Sequence, residues 1–268
     1  MRVTIHDHQQ IAAFLSQDPG RYLYETGDLD PFFWPHTLWF GWQVQSKLEA
    51  LCLIYLGDQT PILLAMGDSV AQRDLLQSLQ DLLPQRFYAH LAQGLEICFE
   101  GWQKSGGERY HRMLLEPNRF QQVPLSSDKL HLKTLAAADL EALLNFYSAA
   151  YPDNWFNPRM LETGQYLGLF QEDRLQAVAG IHVFSLAYQV AALGNIAVGS
   201  KLRGQSLGAG VTSALCEQMM TQVKHIGLNV ASDNPSAIRC YQKIGFEIYL
   251  DYHEWRFTRP WFHQSASG

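Results

Sequence analysis

Long apolar runs, paired cysteines and basic clusters are all missing from this chain. No apolar stretch approaches twenty residues, the length a membrane-crossing helix requires, so no membrane span is expected. The four cysteines, Cys52, Cys98, Cys216 and Cys240, are scattered, with no CxxC pair and no Cys/His ligand spacing. That pattern argues against a disulfide framework and against zinc, and no metal is expected. Scattered cysteines of this kind are mostly small core residues. Basic residues occur at most as isolated pairs, and 20 Lys+Arg against 26 Asp+Glu leave a net charge of −6. Nucleic acid is therefore not an expected partner, because neutralising phosphates takes a basic patch. The opening Met1-Arg2-Val3-Thr4-Ile5-His6-Asp7-His8 does not begin a signal peptide, and the expected location is cytoplasmic.

What the chain does contain is the material of a folded protein. Hydrophobic residues make up 47% and charged residues 17%, and 268 residues suffice for one large domain or two of ordinary size. The best candidate linker is Asn-Arg-Phe-Gln-Gln-Val-Pro-Leu-Ser-Ser-Asp-Lys at 118–129, which is polar and lacks periodicity. It divides the chain into an N-terminal domain over 1–120 and a second domain over 128–268.

The second domain alternates strand and helix patterns. Apolar and polar residues alternate over 130–135, and helical periodicity follows over 139–147. Residues 166–170 and 176–184 flank a turn and predict a hairpin, with a third strand over 190–198. Leu207, Val211, Leu215, Met219 and Val223 form one helical stripe. A short strand over 227–231, a helix after Asn234 and a strand pair over 246–258 complete the order. The expected class is α/β with a mixed sheet. The first domain repeats this logic weakly: a helix over 8–16, a hairpin from 38–44 and 50–55, a strand over 61–66 and a helix over 69–83. A strand over 86–91, a helix near 95–102 and a strand over 109–115 follow. A duplication would explain the likeness. Gly67, Asp68 and Ser69 after the strand place one glycine and an acid where a phosphate would lie, so the first half is expected to be a degenerate copy without a working cofactor site.

Two motifs in the second half carry chemistry. A strand ending at Val198 leads into Arg203-Gly204-Gln205-Ser206-Leu207-Gly208-Ala209-Gly210 at a helix start, an arrangement that presents backbone N–H groups and the positive end of the helix dipole to an anion. Taken alone it is also an ordinary helix start, with Ser206 as N-cap. About twenty-five residues later comes Asn234-Pro235-Ser236-Ala237-Ile238-Arg239-Cys240-Tyr241-Gln242-Lys243-Ile244-Gly245-Phe246. Its Asn, Pro and Gly are accounted for by capping, but a phenol at 241 is not.

Together the two motifs resemble the GNAT superfamily of acyl-CoA-dependent N-acyltransferases, over residues 128–260. Asn234, Ala237, Tyr241, Gly245 and Phe246 match the family's second motif. Val198, Arg203, Gly204 and Gly208 match the first, with Ser200 in place of a Pro and Ser206 in place of a Gly. A second register, Gln205-x-x-Gly208-x-Gly210, satisfies the core of the same pattern. The resemblance implies a GNAT fold in the C-terminal half, a possible second GNAT-like domain in the N-terminal half, and acetyl-CoA or another acyl-CoA as cofactor. It implies that the backbone of Ile196, Ala197 and Val198 contacts the pantetheine arm and the thioester carbonyl. Arg203, Gly204, Gln205, Ser206, Leu207, Gly208, Ala209 and Gly210 would hold the pyrophosphate, and Asn234 and Ala237 would lie by the pantetheine. Tyr241 would protonate the departing thiolate, and the acyl group would pass directly to a small-molecule or peptide amine.

Many members use a Glu on the strand before the phosphate loop, but Ala191-Ala192-Leu193-Gly194-Asn195 supplies no acid. His182, His253 and Glu254 are the candidate bases, a base acting through water or an amine already neutral in the site is equally open, and the sequence does not single one out. Trp155, Phe156, Trp255 and Trp261 are the candidate lining of an acceptor pocket. The acceptor amine, the acyl chain length and the oligomeric state are not legible. A non-catalytic acyl-CoA-binding module is the alternative function. An aminoacyl transferase of the Fem type is a third, disfavoured by the acidic balance.

Overall fold

The computed structural model describes residues 1–67, 69–125 and 129–260, and the described chain divides into two compact units. Unit 1 takes Met1–Gln17, Trp34–Tyr110 and the chain from Asp251; unit 2 takes Asp18–Phe33 and His111–Leu250. The units therefore do not follow a single cut at residues 118–129, of which 126–128 lie outside the described residues.

The first half of the chain runs β1 (Arg2–Thr4), α1 (His8–Leu15), α2 (Leu23–Gly27), β2 (Thr37–Val44), β3 (Lys47–Tyr55), β4 (Ile62–Ala65), α3 (Val70–Ser78), β5 (Arg86–Leu91) and β6 (Gln103–Leu115). The second half runs β7 (Leu130–Thr134), α4 (Leu140–Ala150), β8 (Leu167–Gln171), β9 (Arg174–Ser185), β10 (Val190–Val198), α5 (Leu207–Met220), β11 (His225–Ala231), α6 (Pro235–Ile244) and β12 (Phe246–Thr258). Both hairpins expected from alternation form. Each closes on two residues of positive φ, Gln45 and Ser46 between β2 and β3, Glu172 and Asp173 between β8 and β9, as two-residue hairpin turns require.

The units repeat one strand order. In unit 1 it is β1-β2-β3-β4-β5, antiparallel until the parallel pair β4 and β5. In unit 2 it is β7-β8-β9-β10-β11, antiparallel until the parallel pair β10 and β11. The strand after β5 comes from the far end of the chain: His253–Thr258 of β12 pair antiparallel with Leu91–Arg86. The strand beside β11 is β6, from the first half. Each unit thus borrows its sixth strand from the other half of the sequence.

Several expectations differ from what forms. Residues 246–258 make one thirteen-residue strand, not a pair: no Gly, Pro or Asn breaks it, and Asp251 is accommodated within it. The helix over 69–83 stops at Ser78, and that near 95–102 is a 3-10 turn over Leu95–Phe99. α2, which lacks a long apolar period, belongs to unit 2, where it packs on β9, β10 and β11.

The core of unit 2 lies between α5 and the sheet. Leu207, Val211, Leu215, Met219 and Val223 are all buried, as the stripe requires, against Ala179, Ile181, Ala191, Leu193 and Leu228. Unit 1 has its own core, in which Phe257 of β12 lies 5.2 Å, ring to ring, from Phe87. That aromatic contact fixes the end of β12 in unit 1. Among the described residues no helix is long and apolar enough to cross a membrane.

Candidate active site

The site of unit 2 begins where two parallel strands part. β10 and β11 pair from Val190↔His225 to Leu193↔Leu228, and no further. The cause is local. Between Gly194↔Gly180 and Ala197↔Val178, β10 spends three steps against two on β9, so one extra residue is accommodated. Asn195 has φ 53, a left-handed conformation that Asn tolerates better than most residues. The bulge is pinned by buried polar groups. Asn195 Oδ1 accepts from the Trp155 amide at 3.1 Å, Asn195 Nδ2 donates to the Tyr166 hydroxyl at 3.0 Å, and Tyr147 donates to the Asn195 carbonyl at 2.7 Å. Burial raises the pKa of both Tyr147 and Tyr166, so these phenols are donors at any ordinary pH. Ile196, Ala197 and Val198 follow the bulge, on the arm of β10 that has left β11.

The end of β10 leads into α5. Gly204 has φ 80 and Ser206 φ 61, so the Ser stands in a conformation that suits glycine. Ser206 occupies the N-cap position, yet its side chain makes no capping bond. Its hydroxyl instead accepts from Lys243 Nζ at 3.3 Å. The first-turn amides of α5 are consequently not closed off by their own cap. Arg203 donates to Ala150 O at 2.9 Å, which holds the exposed loop against the end of α4. The two glycines of the helix have different neighbours. A Cβ on Gly208 would come within 3.1 Å of Val198 Cγ2 and 3.8 Å of Cys240 Sγ, on the side of the parted strands. A Cβ on Gly210 would run into Leu125, so its smallness accommodates the incoming chain.

α6 is built as its sequence predicts. Asn234 Oδ1 accepts from the Ala237 amide at 3.1 Å, Pro235 is the first helical residue, and Gly245 ends the helix with φ 111. Tyr241 is buried and packs edge-on at 6.1 Å against Phe246. Burial, then the neighbouring Cys240, Tyr151 and Tyr24, push its pKa well up and keep it protonated. Among the described residues, nothing hydrogen-bonds its hydroxyl.

A second group of residues, which the motifs did not indicate, comes from α2 and β6. Arg112 is fully buried; its Nε donates to Asn229 Oδ1 at 3.1 Å, one of its terminal nitrogens donates to Arg21 O, and the same nitrogen lies 3.8 Å from Glu25 Oε2. The guanidinium lies 4.8 Å from the ring centroid of Tyr24. Burial raises the Glu25 pKa, and Arg112 opposes that rise. The Tyr24 ring is 6.2 Å from the imidazole of His182 on β9. The one available signal for this group was an Arg directly before the apolar Met113-Leu114-Leu115 end of β6.

Residues 132–246 match the profile of the family described as "Acetyltransferase (GNAT) family". Residues 132–246 are a GNAT acetyltransferase domain. Solved GNAT structures share the fold over nearly the whole chain. A tandem GNAT protein from the clavulanic acid biosynthesis pathway is 15% identical with a TM-score of 0.61, covering 97% of this chain and 98% of that one. A GCN5-related N-acetyltransferase from Sphaerobacter thermophilus is 11% identical with a TM-score of 0.63 and coverages of 97% and 96%. An acetyltransferase of the GNAT family from Colwellia psychrerythraea is 16% identical with a TM-score of 0.55 and coverages of 96% and 99%. At these identities the likeness is one of fold. A search of curated proteins gave no match.

The GNAT domain brings together the arm of β10, the α5 N-terminus and Tyr241. It adds Lys243, which lay inside the second motif without an assigned role. Other candidates fall elsewhere. His253, Glu254 and Trp255 belong to unit 1, where Glu254 accepts from the Tyr252 hydroxyl at 2.8 Å and lies 3.3 Å from His90. Phe156 packs between Tyr147 and Tyr166 as a core residue. Asp68 and Trp261 lie outside the described residues. Among the described residues no group of three or more His, Cys, Asp and Glu could hold a metal.

Proposed function

We propose that the chain transfers an acetyl or other short acyl group from CoA to a primary amine by direct attack, with Tyr241 as general acid. The observation that carries this reading is the placement of Tyr241: a buried phenol, kept protonated by its surroundings, on the helix that follows a parted pair of parallel strands. The cradle suits the cofactor. First-turn amides of α5 left open by Ser206, with Lys243 beside them, match an anionic pyrophosphate. Arg203, Gly204, Gln205, Ser206, Leu207, Gly208, Ala209 and Gly210 form this end, and Asn234 and Ala237 the edge nearest α6. Bound acetyl-CoA supplies an activated acyl group and a thiol leaving group. The backbone of Ile196, Ala197 and Val198 offers N–H groups to the carbonyl oxygen as negative charge gathers there. Tyr241 holds a proton for the departing sulfur, a role worth about 10²–10⁴ in rate. The acceptor is a small-molecule or peptide amine.

Unit 1 reads as a second, degenerate copy in a tandem protein. β4 and β5 stay paired to Ala65↔Leu91 at the end of β4, and Ser69 closes its helix by accepting from the Gln72 amide at 3.1 Å. Neither a parted pair nor an open helix end supports a cofactor there.

The test is binding, then turnover. Acetyl-CoA at 100 times its dissociation constant adds about 2.7 kcal/mol, which raises the melting midpoint by about 5–11 °C at about 2–4 °C per kcal/mol. Gly208→Leu, driven into Val198, abolishes that shift. Tyr241→Phe keeps the shift and loses about 10²-fold or more in turnover. The absence of an acid over Ala191–Asn195 and the Ser at 206 favour the other reading, a binding module without turnover. That reading predicts a normal shift and no CoA release with any amine. No shift with acetyl-CoA would overturn both.

A further inference from the structure

The acid that the sequence lacks on β10 has a structural counterpart. Position 194 is glycine, and the imidazole of His182, reaching over from β9, fills the volume that a side chain at 194 would occupy: a Cβ there would run into His182 Cδ2 and Nε2. A bulge on β9 aims it. Between Ala192↔Val183 and Leu193↔Ile181, β9 spends two steps against one on β10, and His182 is the extra residue. The ring therefore stands over Gly194, the first residue of β10 beyond the last pair with β11 and the one before the Asn195 bulge. It is half-buried, so it is held without being sealed from solvent.

We infer that His182 is the general base of the acyl transfer, set by paired bulges into the place left by Gly194. The inference rests on the transfer reading above. Imidazole suits the task because its protonation changes near neutral pH. As the amine nitrogen forms its bond to the thioester carbon, His182 takes one N–H proton. As the C–S bond breaks, Tyr241 gives its proton to the sulfur. His182 then releases a proton to water and Tyr241 regains one, so the sum is amine plus acetyl-CoA to amide plus CoA. Tyr24 joins the two ends: its ring is 6.2 Å from the imidazole, and its phenol is near enough to Tyr241 to oppose the latter's ionisation. The charged groups packed on the same side are Arg112 under the Tyr24 ring and Glu25 beside Arg112. Asp28 is a further buried acid of that segment, and Asp30 accepts from Ser185 Oγ at 2.7 Å.

The test uses the full chain, following CoA thiol release with a panel of primary amines and, without amine, the slower hydrolysis in which the same base activates water. In His182→Gln, turnover falls about 10²–10⁴-fold, the acid limb of the pH–rate profile disappears, and acetyl-CoA affinity by calorimetry stays within threefold. Gly194→Ala, which displaces the ring and leaves it in the chain, lowers turnover in the same direction. In the parent, the His182 imidazole NMR signal, assigned by its loss in His182→Gln, moves on addition of acetyl-CoA. His182→Gln with parental turnover and an intact acid limb, or an imidazole signal indifferent to acetyl-CoA, overturns the assignment and leaves acyl transfer standing. A parent that binds acetyl-CoA but never releases CoA overturns both.

Discussion

Asn195 carries more of the site than its single residue implies, and replacing it separates two contributions. Asn195→Ala removes the acceptor of the Trp155 amide and the donor to the Tyr166 hydroxyl, while the Tyr147 bond to the backbone carbonyl remains possible. Two hydrogen bonds at about 0.5–1.5 kcal/mol each amount to about 1–3 kcal/mol. Alanine also pays about 1–2 kcal/mol to hold φ near 53. The expected loss is about 2–5 kcal/mol, or roughly 4–20 °C in the melting midpoint of a unit this size. Asn195→Gly loses the same two bonds but escapes the dihedral cost, giving back only about 0.5–1 kcal/mol in chain entropy. Glycine is therefore the milder change, by about 0.75 kcal/mol at the middle of these ranges. Both variants let β10 settle back toward β11, so calorimetric affinity for acetyl-CoA falls at least tenfold. Thermal denaturation followed by tryptophan fluorescence gives the stabilities. The reasoning is refuted if alanine proves no worse than glycine, or if both variants melt within 1 °C of the parent.

Three further outcomes follow from the same geometry. Gly245→Ala drives a Cβ into the Arg119 carbonyl at φ 111, so it costs about 2–4 kcal/mol and lowers the midpoint by roughly 4–16 °C; an unchanged midpoint contradicts the capping argument. Ser206→Gly changes stability by less than about 1 kcal/mol and keeps acetyl-CoA affinity, whereas Ser206→Val, which resists positive φ, weakens it; equal affinities would show that the turn is not held left-handed. Burial raises the phenol pKa values of Tyr147, Tyr166 and Tyr241 above the ordinary 10.0. The unfolded chain therefore ionises first, and their contribution, complete below about pH 10, is lost as pH rises further. The melting midpoint should fall between pH 10 and 11, less steeply in Tyr166→Phe; a midpoint that rises over that range rejects the account.

The second half of the chain was legible because its signals were local. The apolar run over 190–198 marks β10, and the stripe from Leu207 marks α5. Asn234, Pro235 and Gly245 delimit α6 through capping chemistry alone. The motif glycines were readable as small residues, but only the packing distinguishes Gly208, facing Val198, from Gly210, facing Leu125. Ser206 stands at the N-cap, where Ser often caps with its side chain, but its positive φ turns the hydroxyl away from the helix amides. The contribution of α2 could not be read. Five residues with no amphipathic period carry no address, and Glu25 and Tyr24 acquire meaning only beside Arg112, nearly ninety positions later. His182 was visible as one histidine on a strand. What gives it weight is a pair of bulges, and bulges are a property of register between strands, which no single strand encodes.

The borrowed strands have a consequence for the history of the chain. Once β6 completes the sheet beside β11 and the end of β12 completes that beside β5, neither half can be deleted without unfinishing the other. Selection on one half would then protect the other from loss, whether or not the other keeps a chemistry of its own. On the reading proposed above, the first half would be kept as scaffold, held at β6 and at α2, whose Tyr24 packs beside His182.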